Sequence, residues 1–317
     1  MDYNGSQKRP RRGREGGSAV LDFRYDTFLD LCETRNYSRT AENLGLSQPT
    51  VTQHIQHLER HYGTDLFLYR NKQLYLTEKG EELCRQVRRI RGMIRRAERQ
   101  MAAPAGRRTL RVGATKTIGE FVLPAAVDAY LRQDPEGDID LYVDNTRALL
   151  GRLNAGVLDF AYLEGFFDKG AYAHRLLRRE SFLGVCAPDS PLLGRRLALE
   201  DLLDQRLIIR EPGSGTREIL EKMLQQFSYG VDSFRHVSQI SSFGALKALV
   251  AAGEGITFLY RPAAGKELAA GTLRELDIEG FPLRREFNFV MPEGIEPEER
   301  YLAFHSFCRD FLAGTAE

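Results

Sequence analysis

Gln48, Thr50, Thr52, Gln53 and Gln56 crowd one short stretch, Ser47-Gln48-Pro49-Thr50-Val51-Thr52-Gln53-His54-Ile55-Gln56-His57-Leu58-Glu59. Their short amides and hydroxyls suit the edges of nucleic-acid bases: Gln bonds adenine through two contacts, and the Thr methyl touches thymine. Such chemistry needs a rigid frame, and the same stretch encodes one. Ser47 caps a helix start, and Pro49 fits the first turn, where a missing N–H does no harm. Val51, Ile55, Leu58 and Tyr62 recur at i, i+4, i+7 and i+11, which is one apolar stripe. The polar faces of such a helix serve solvent as readily as DNA, so this helix alone does not decide.

The residues before it add weight. Ser38-Arg39-Thr40-Ala41-Glu42-Asn43-Leu44 reads as a helix capped by Ser38. Ala41 is small enough for a close crossing, Leu44 faces inward, and Gly45 breaks the helix with a positive φ. Helix, glycine turn and capped helix make a helix-turn-helix, whose second helix enters the major groove. Phe23 to Thr34 reads as a first helix packed across the pair, with Phe28, Leu31 and Cys32 inward. Asp65 to Thr77 then reads as a hairpin turning at Asn71-Lys72-Gln73, a wing, with Arg70 ending its first strand.

Tyr37 to Thr52, then Leu58-Glu59, Gly63, Leu66-Phe67, Arg70 and Leu76-Thr77-Glu78-Lys79-Gly80, closely resembles the LysR-type transcriptional regulators. The resemblance runs residue by residue through the N-terminal domain and continues in layout through the rest. It implies that Gln48, Pro49, Thr50, Thr52, Gln53 and Arg70 contact double-stranded DNA. Arg70 would reach the minor groove, where the negative potential favours Arg. A surface ion pair is the plainer role for Arg70.

Composition is that of an ordinary globular chain of 317 residues, long enough for two or three domains. No apolar run spans a bilayer, and the N-terminus lacks an apolar secretory core. Cys32, Cys84, Cys186 and Cys308 are scattered, which fits a reducing cytoplasm rather than a disulfide framework. The net charge of +1 hides an asymmetry. The first third is basic by roughly six charges and the remainder acidic by roughly five, as expected of a DNA-binding domain on a different module. Residues 1–20, with Lys8, Arg9, Arg11, Arg12 and Arg14 among Gly and Ser, cannot bury a core. They read as a disordered basic tail, either touching DNA phosphates or simply solvated. His54, His57 and His61 share a helix side but lack the further ligands a metal needs, so no metal is expected.

Thr77 reads as the cap of one long helix ending near Ala102. Leu83, Val87, Ile90, Ile94, Ala97 and Met101 alternate spacings of four and three, a heptad seam flanked by arginines. The expectation is a dimerisation linker, closed by a hinge at Ala103-Pro104-Ala105-Gly106. The family implies a homodimer or homotetramer on an interrupted palindrome, and RNA polymerase is a further candidate partner.

From Thr109 strands and helices alternate, so an α/β domain with a mainly parallel sheet is expected. Its layout resembles the LysR effector-binding domain, two lobes enclosing a cleft. The expected fold is α/β multidomain: a winged helix-turn-helix (21–78), a linker helix (79–104) and a two-lobed effector-binding domain (108–317). Lobe I would take about 108–178 and 284–317, lobe II about 179–283. Two loops, Ala114 to Gly119 and Pro212 to Thr216, lead into helix starts and offer hydroxyls and free N–H groups to an anion. Thr115, Lys116, Thr117, Asn145, Ser214, Gly215, Thr216 and Ser242 are the candidates for holding a small anionic effector. Thr146, Arg147, Arg217, Ser241 and Phe243 stand beside them. Gly213-Ser214-Gly215-Thr216 lacks the Lys of a nucleotide-hydrolysing loop. No catalytic triad, paired carboxylates or cofactor motif is visible, so no enzyme and no cofactor are expected. The rival is a solute-binding module or enzyme that uses its N-terminal domain only for assembly.

Overall fold

The computed structural model describes residues 21–102 and 109–314. The basic segment 1–20 and the hinge at Ala103-Pro104-Ala105-Gly106 lie outside the described residues. The chain divides into two compact units at residue 98.

The first unit contains α1 (Arg24–Thr34), α2 (Tyr37–Leu44), α3 (Gln48–Tyr62), β1 (Phe67–Arg70), β2 (Gln73–Leu76) and the start of α4 (Glu78–Ala102). Phe28, Leu29 and Leu31 of α1 meet Ile55 and Leu58 of α3 in one core. Three details differ from expectation. The cap of α2 is Asn36, whose side chain accepts from the Arg39 N–H at 3.0 Å. Tyr37 packs against the core, which draws the helix start ahead of Ser38. Tyr62 leaves the apolar stripe, 42% exposed, because its hydroxyl pairs with that of Tyr25 at 2.6 Å. Gln73 belongs to β2, opposite Arg70. The turn is the two residues Asn71 and Lys72, both at positive φ, the geometry that matches strand twist in a two-residue hairpin.

Thr77 caps α4 as expected, accepting from the Gly80 N–H at 2.9 Å. A Cβ on Gly80 would stand 2.1 Å from the Leu66 carbonyl oxygen, so only glycine lets the helix leave the wing this closely. Consequently the first turns of α4 pack within the chain. Leu83, Cys84 and Val87 join the core of the first unit, so the part of the apolar stripe left uncovered in the chain begins at Ile90. Ile90, Met93 and Met101 are 45%, 50% and 88% exposed.

The second unit runs β3 (Thr109–Thr115), α5 (Lys116–Phe121), α6 (Leu123–Gln133), β4 (Asp138–Asp144), α7 (Thr146–Asn154), β5 (Phe160–Leu163) and β6 (Tyr172–Cys186). It continues with β7 (Arg206–Ile209), α8 (Gly215–Gln226), β8 (His236–Gln239), α9 (Phe243–Ala251), β9 (Thr257–Tyr260), α10 (Arg261–Ala270), β10 (Arg274–Glu275), β11 (Leu283–Pro292) and α11 (Glu299–Gly314). The large sheet is ordered β10-β6-β11-β5-β3-β4, with β9 also on β6. β3 is parallel to β4 and β5, whereas β11 is antiparallel to β5 and β6. The sheet is therefore mixed rather than mainly parallel. The cause is β6, whose first part pairs with β11 and whose last residues pair with β9. It passes from one lobe to the other without a helical crossover, and its return strand runs antiparallel. β7 and β8 form a separate two-stranded sheet.

Candidate functional site

In the first unit the polar side of α3 is open. Gln48, Pro49, Gln53 and Gln56 are exposed, while Thr50 and Thr52 are half-buried. Ser47 accepts from the Thr50 N–H at 3.2 Å, and the two hydroxyls meet at 2.7 Å. The Thr52 hydroxyl donates to the Gln48 carbonyl at 3.1 Å. Both threonine hydroxyls are thus engaged by the helix, which leaves their methyls to present, whereas Gln53 keeps its whole amide free. Ser38 reaches the Gln48 amide oxygen at 3.4 Å and orients it. Arg70 is exposed at the end of β1, and no ion pair holds it among the described residues. Beside it Tyr69 is 73% exposed. Sequence reading passed over Tyr69, although an aromatic next to a free Arg at a wing tip is a visible signal.

The three helix histidines separate in role. His54 Nδ1 lies 2.9 Å from the Thr27 hydroxyl, with the Phe23 ring edge-on at 5.0 Å. Burial and the Arg24 charge hold its pKa below the usual histidine value. His57 and His61 are exposed, and no group of metal-ligating side chains occurs among the described residues.

In the second unit the predicted anion ligands sit at strand ends and helix starts. Ala114 to Gly119 is not a loop: Thr115 ends β3 and Lys116 already begins α5. The expected apolar helix from Phe121 to Leu131 is interrupted at Val122, dividing α5 from α6. Six residues make α5 too short to lend a useful dipole, so what this element offers is its side chains. Thr115 and Thr117 are 2% and 0% exposed, and Thr146 and Thr216 are 7% and 3% exposed. The hydroxyls of Thr115, Thr117, Thr146 and Thr216 have no hydrogen-bond partner. Leaving such groups buried and unbonded costs about 1–3 kcal/mol each.

Gly165 ties two of these elements together. A Cβ built there would lie 3.5 Å from the Thr146 hydroxyl oxygen and 3.6 Å from Gly215 Cα. The start of α7, the end of β5 and the start of α8 therefore converge. Gly213, at φ +87°, turns the chain into α8. Ser214 is buried at the cap position but makes no side-chain cap bond, so the first N–H groups of this helix stay available.

The cation at this place is Arg210, 2% exposed. Its Nε and Nη2 donate to Glu211 at 2.9 and 3.0 Å, its carbon lies 4.1 Å from the Phe243 ring centroid, and Nη1 has no partner. Lys116 reaches across to Glu211 at 3.1 Å, and Arg217 is held by Glu221 at 2.6 Å. The positive charge the sequence suggested from Lys116 and Arg217 is thus largely neutralised, while Arg210 keeps a free N–H. Asn145 spends its side-chain oxygen capping α7 on the Ala148 N–H at 2.9 Å. Ser242 is exposed and caps α9 on the Ala245 N–H at 3.4 Å, which leaves its neighbour Phe243 as the side chain at the site. Glu164, 2% exposed, was also missed. Its signal is an acid directly after the wholly buried strand Phe160–Leu163.

Comparison with known proteins agrees with this architecture. Residues 24–81 match the bacterial regulatory helix-turn-helix protein model of the lysR family, and residues 104–313 match the LysR substrate binding domain. The chain is 33% identical over 261 residues to the HTH-type transcriptional regulator CbbR of Rhodospirillum rubrum, covering 82% of this chain and 86% of that protein. It is 28% identical over 267 residues to CysL of Bacillus subtilis, covering 83% and 88%. The regulatory domain of Synechocystis CcmR, solved in complex with 2-PG, superposes with a TM-score of 0.59 at 22% identity, covering 65% of this chain and 98% of that one. Full-length BenM gives 0.57 at 19% identity, covering 92% and 96%. Two domain models in this order, with relatives matched over most of their length, show that the chain belongs to the LysR family of bacterial transcriptional regulators.

Proposed function

We propose that this LysR-type regulator binds an interrupted, two-fold DNA site through Gln48, Pro49, Thr50, Thr52, Gln53 and Arg70. The observation that carries the reading is the free polar edge of α3, with Gln53 exposed there and Arg70 exposed on the wing. Thr50 and Thr52 contribute methyls to thymine, and Gln53 contributes its amide to adenine. The exposed apolar residues from Ile90 onward support a homodimer through α4, and two such dimers would make the homotetramer usual for the family. RNA polymerase is the natural further partner of such an assembly on a promoter.

The second part of the proposal concerns the cleft. Four buried threonine hydroxyls and one guanidinium N–H are without partners, against one unpartnered acceptor, Glu164 Oε2, beside the open start of α8. Donors in excess of acceptors favour an anion, and an organic anion of the size of the 2-PG bound by CcmR fits this chemistry. Membership of a family of transcriptional regulators supports regulation rather than turnover. No helix among the described residues is long and apolar enough to cross a membrane, in keeping with a cytoplasmic place of work. The test is footprinting on the DNA upstream of its own gene, at physiological salt with scrambled competitor. Protection of a two-fold interrupted site is the expected result. Binding that is salt-sensitive and sequence-blind would refute it.

A further inference from the structure

β5 ends in Leu163 with every side chain buried, and the next residue is an acid. Glu164 is 2% exposed. It lies against the start of α8: a Cβ on Gly215 would stand 3.2 Å from Glu164 Cγ, 3.3 Å from its carbonyl oxygen and 3.5 Å from Oε1. The carboxyl therefore sits among the unpartnered donors of the cleft. That is a conflict if the site takes an anion, because an ionised carboxylate repels a second negative charge strongly where water is excluded.

The surroundings decide its state. The hydroxyl and N–H of Thr117 on α5 and the Arg210 guanidinium favour the ionised form, while Glu120 on α5 opposes it. Tyr260 on β9 also faces it, a buried phenol that stays neutral. Arg285 on β11 and Glu180 on β6 also act on Tyr260, and the buried Arg285 Nε has no hydrogen-bond partner; the other nearby charges are engaged or exposed. Lys116 and Arg210 bind Glu211, Arg217 binds Glu221, and Arg147 on α7 is exposed. Burial outweighs the favourable contacts and pushes the Glu164 carboxyl up to about 7. Near neutrality it is thus as often a donor as an acceptor, and in its neutral form the O–H can bond an anion directly.

We propose that Glu164 is the specificity residue of this cleft, sharing one proton with the bound anion, so that the site prefers phosphate-class oxyanions, which retain a proton, over sulfate, which does not. The proposal rests on reading the cleft as an anion site and adds the rule by which it chooses. Below neutrality Glu164 supplies the proton, and either ion binds. Above it, sulfate binds only by drawing a proton from water, so its affinity falls about tenfold per pH unit. Hydrogen phosphate brings its own proton, which the Glu164 carboxylate accepts.

The experiment is titration calorimetry on the full-length protein with sodium sulfate and sodium phosphate, at about pH 6 and about pH 8.5, for the wild type and Glu164→Gln. In the wild type, sulfate should weaken more than about tenfold between the two pH values and phosphate much less. Repeating the sulfate titration in buffers of different ionisation enthalpy should record uptake of one proton at the higher pH. Glu164→Gln, whose amide always donates, should bind sulfate equally at both pH values and lose the preference. A flat sulfate profile in the wild type, or the same slope in Glu164→Gln, overturns the proposal while leaving the anion site standing. Failure of both ions to bind either protein at any pH removes the anion site itself, and the proposal with it. The wild-type proton count alone decides the matter if the variant does not fold.

Discussion

Residue chemistry in the first unit separates side chains that hold the reading helix from those that read. Ser47, Thr50 and Thr52 bond within α3, whereas Gln53 is exposed with its amide unspent. Gln53→Ala should therefore reduce discrimination against a wrong base by about 1–3 kcal/mol and leave nonspecific binding nearly unchanged. Competition binding with single-base variants of the footprinted site measures this, and equal weakening on every sequence would show that Gln53 does not read bases. Arg70→Ala should weaken binding most on sites with a narrow, A·T-rich flank, where an inserted Arg gains from the groove potential. Loss that is indifferent to the flanking sequence would return Arg70 to phosphate contact. Exposed amides on a helix are legible in residue type alone, and the structure leaves Gln48, Gln53 and Gln56 exposed. Residue type did less well in the cleft. Thr115 and Thr216 were visible as hydroxyls at element ends, but Arg210 and Glu164 are singled out by burial, which no spacing rule displays. Lys116 and Arg217 looked like free cations until their partners, distant in sequence or across a helix turn, came into contact.

At the scale of elements, α4 has two tasks that one heptad pattern concealed. Leu83 and Val87 complete the core of the first unit, while Ile90 and the apolar residues beyond it face outward. Periodicity records that a face is apolar but not which surface covers it, so where the covered part of the stripe ends was legible only in three dimensions. Ile90→Asp should dissociate the dimer without unfolding the helix, because Ile90 is 45% exposed in the chain. Sedimentation showing an intact assembly would locate the dimer contact elsewhere. Gly80→Ala acts on the other task. Its Cβ would collide with the Leu66 carbonyl at 2.1 Å, and shifting backbone rather than a flexible side chain costs about 1–3 kcal/mol. A lower melting temperature of the first unit is expected, and an unchanged one would refute the close approach. The alternation of strand and helix from Thr109 was legible for the same reason as the helix-turn-helix: apolar runs of the right length lie between turn residues. The direction of β6 and β11 was not, since antiparallel and parallel strands bury the same residues.

The stability of the second unit as a whole reflects two buried groups whose titrations oppose each other. His305 on α11 is 3% exposed, and burial, aided by Arg309 and Arg175, lowers its pKa from 6.5 to about 4. The unfolded chain then binds the extra proton between those values, so His305 makes stability rise with pH from about 4 to 6.5 and fall on acidification. Glu164 has the reverse sign. Its pKa is about 7 folded against 4.5 as the ordinary value, so its contribution is complete below 4.5 and is lost as pH rises through 7. Between 4.5 and 6.5 the slopes of these two groups offset each other. Above that window His305 is neutral in both states and contributes no slope. Each pKa unit corresponds to about 1.4 kcal/mol, so ionising Glu164 in place costs at most about 3 kcal/mol. Glu164→Gln carries no such cost, and its advantage in melting temperature over the wild type should widen from about pH 5 and level off above about pH 7. A constant gap across that range would mean that Glu164 is ionised throughout. The same proton would then be lost to the cleft, because an acid already charged at neutral pH has none to share with an anion. Differential calorimetry of the ligand-free protein therefore bears on the choice of ligand before any ligand is identified.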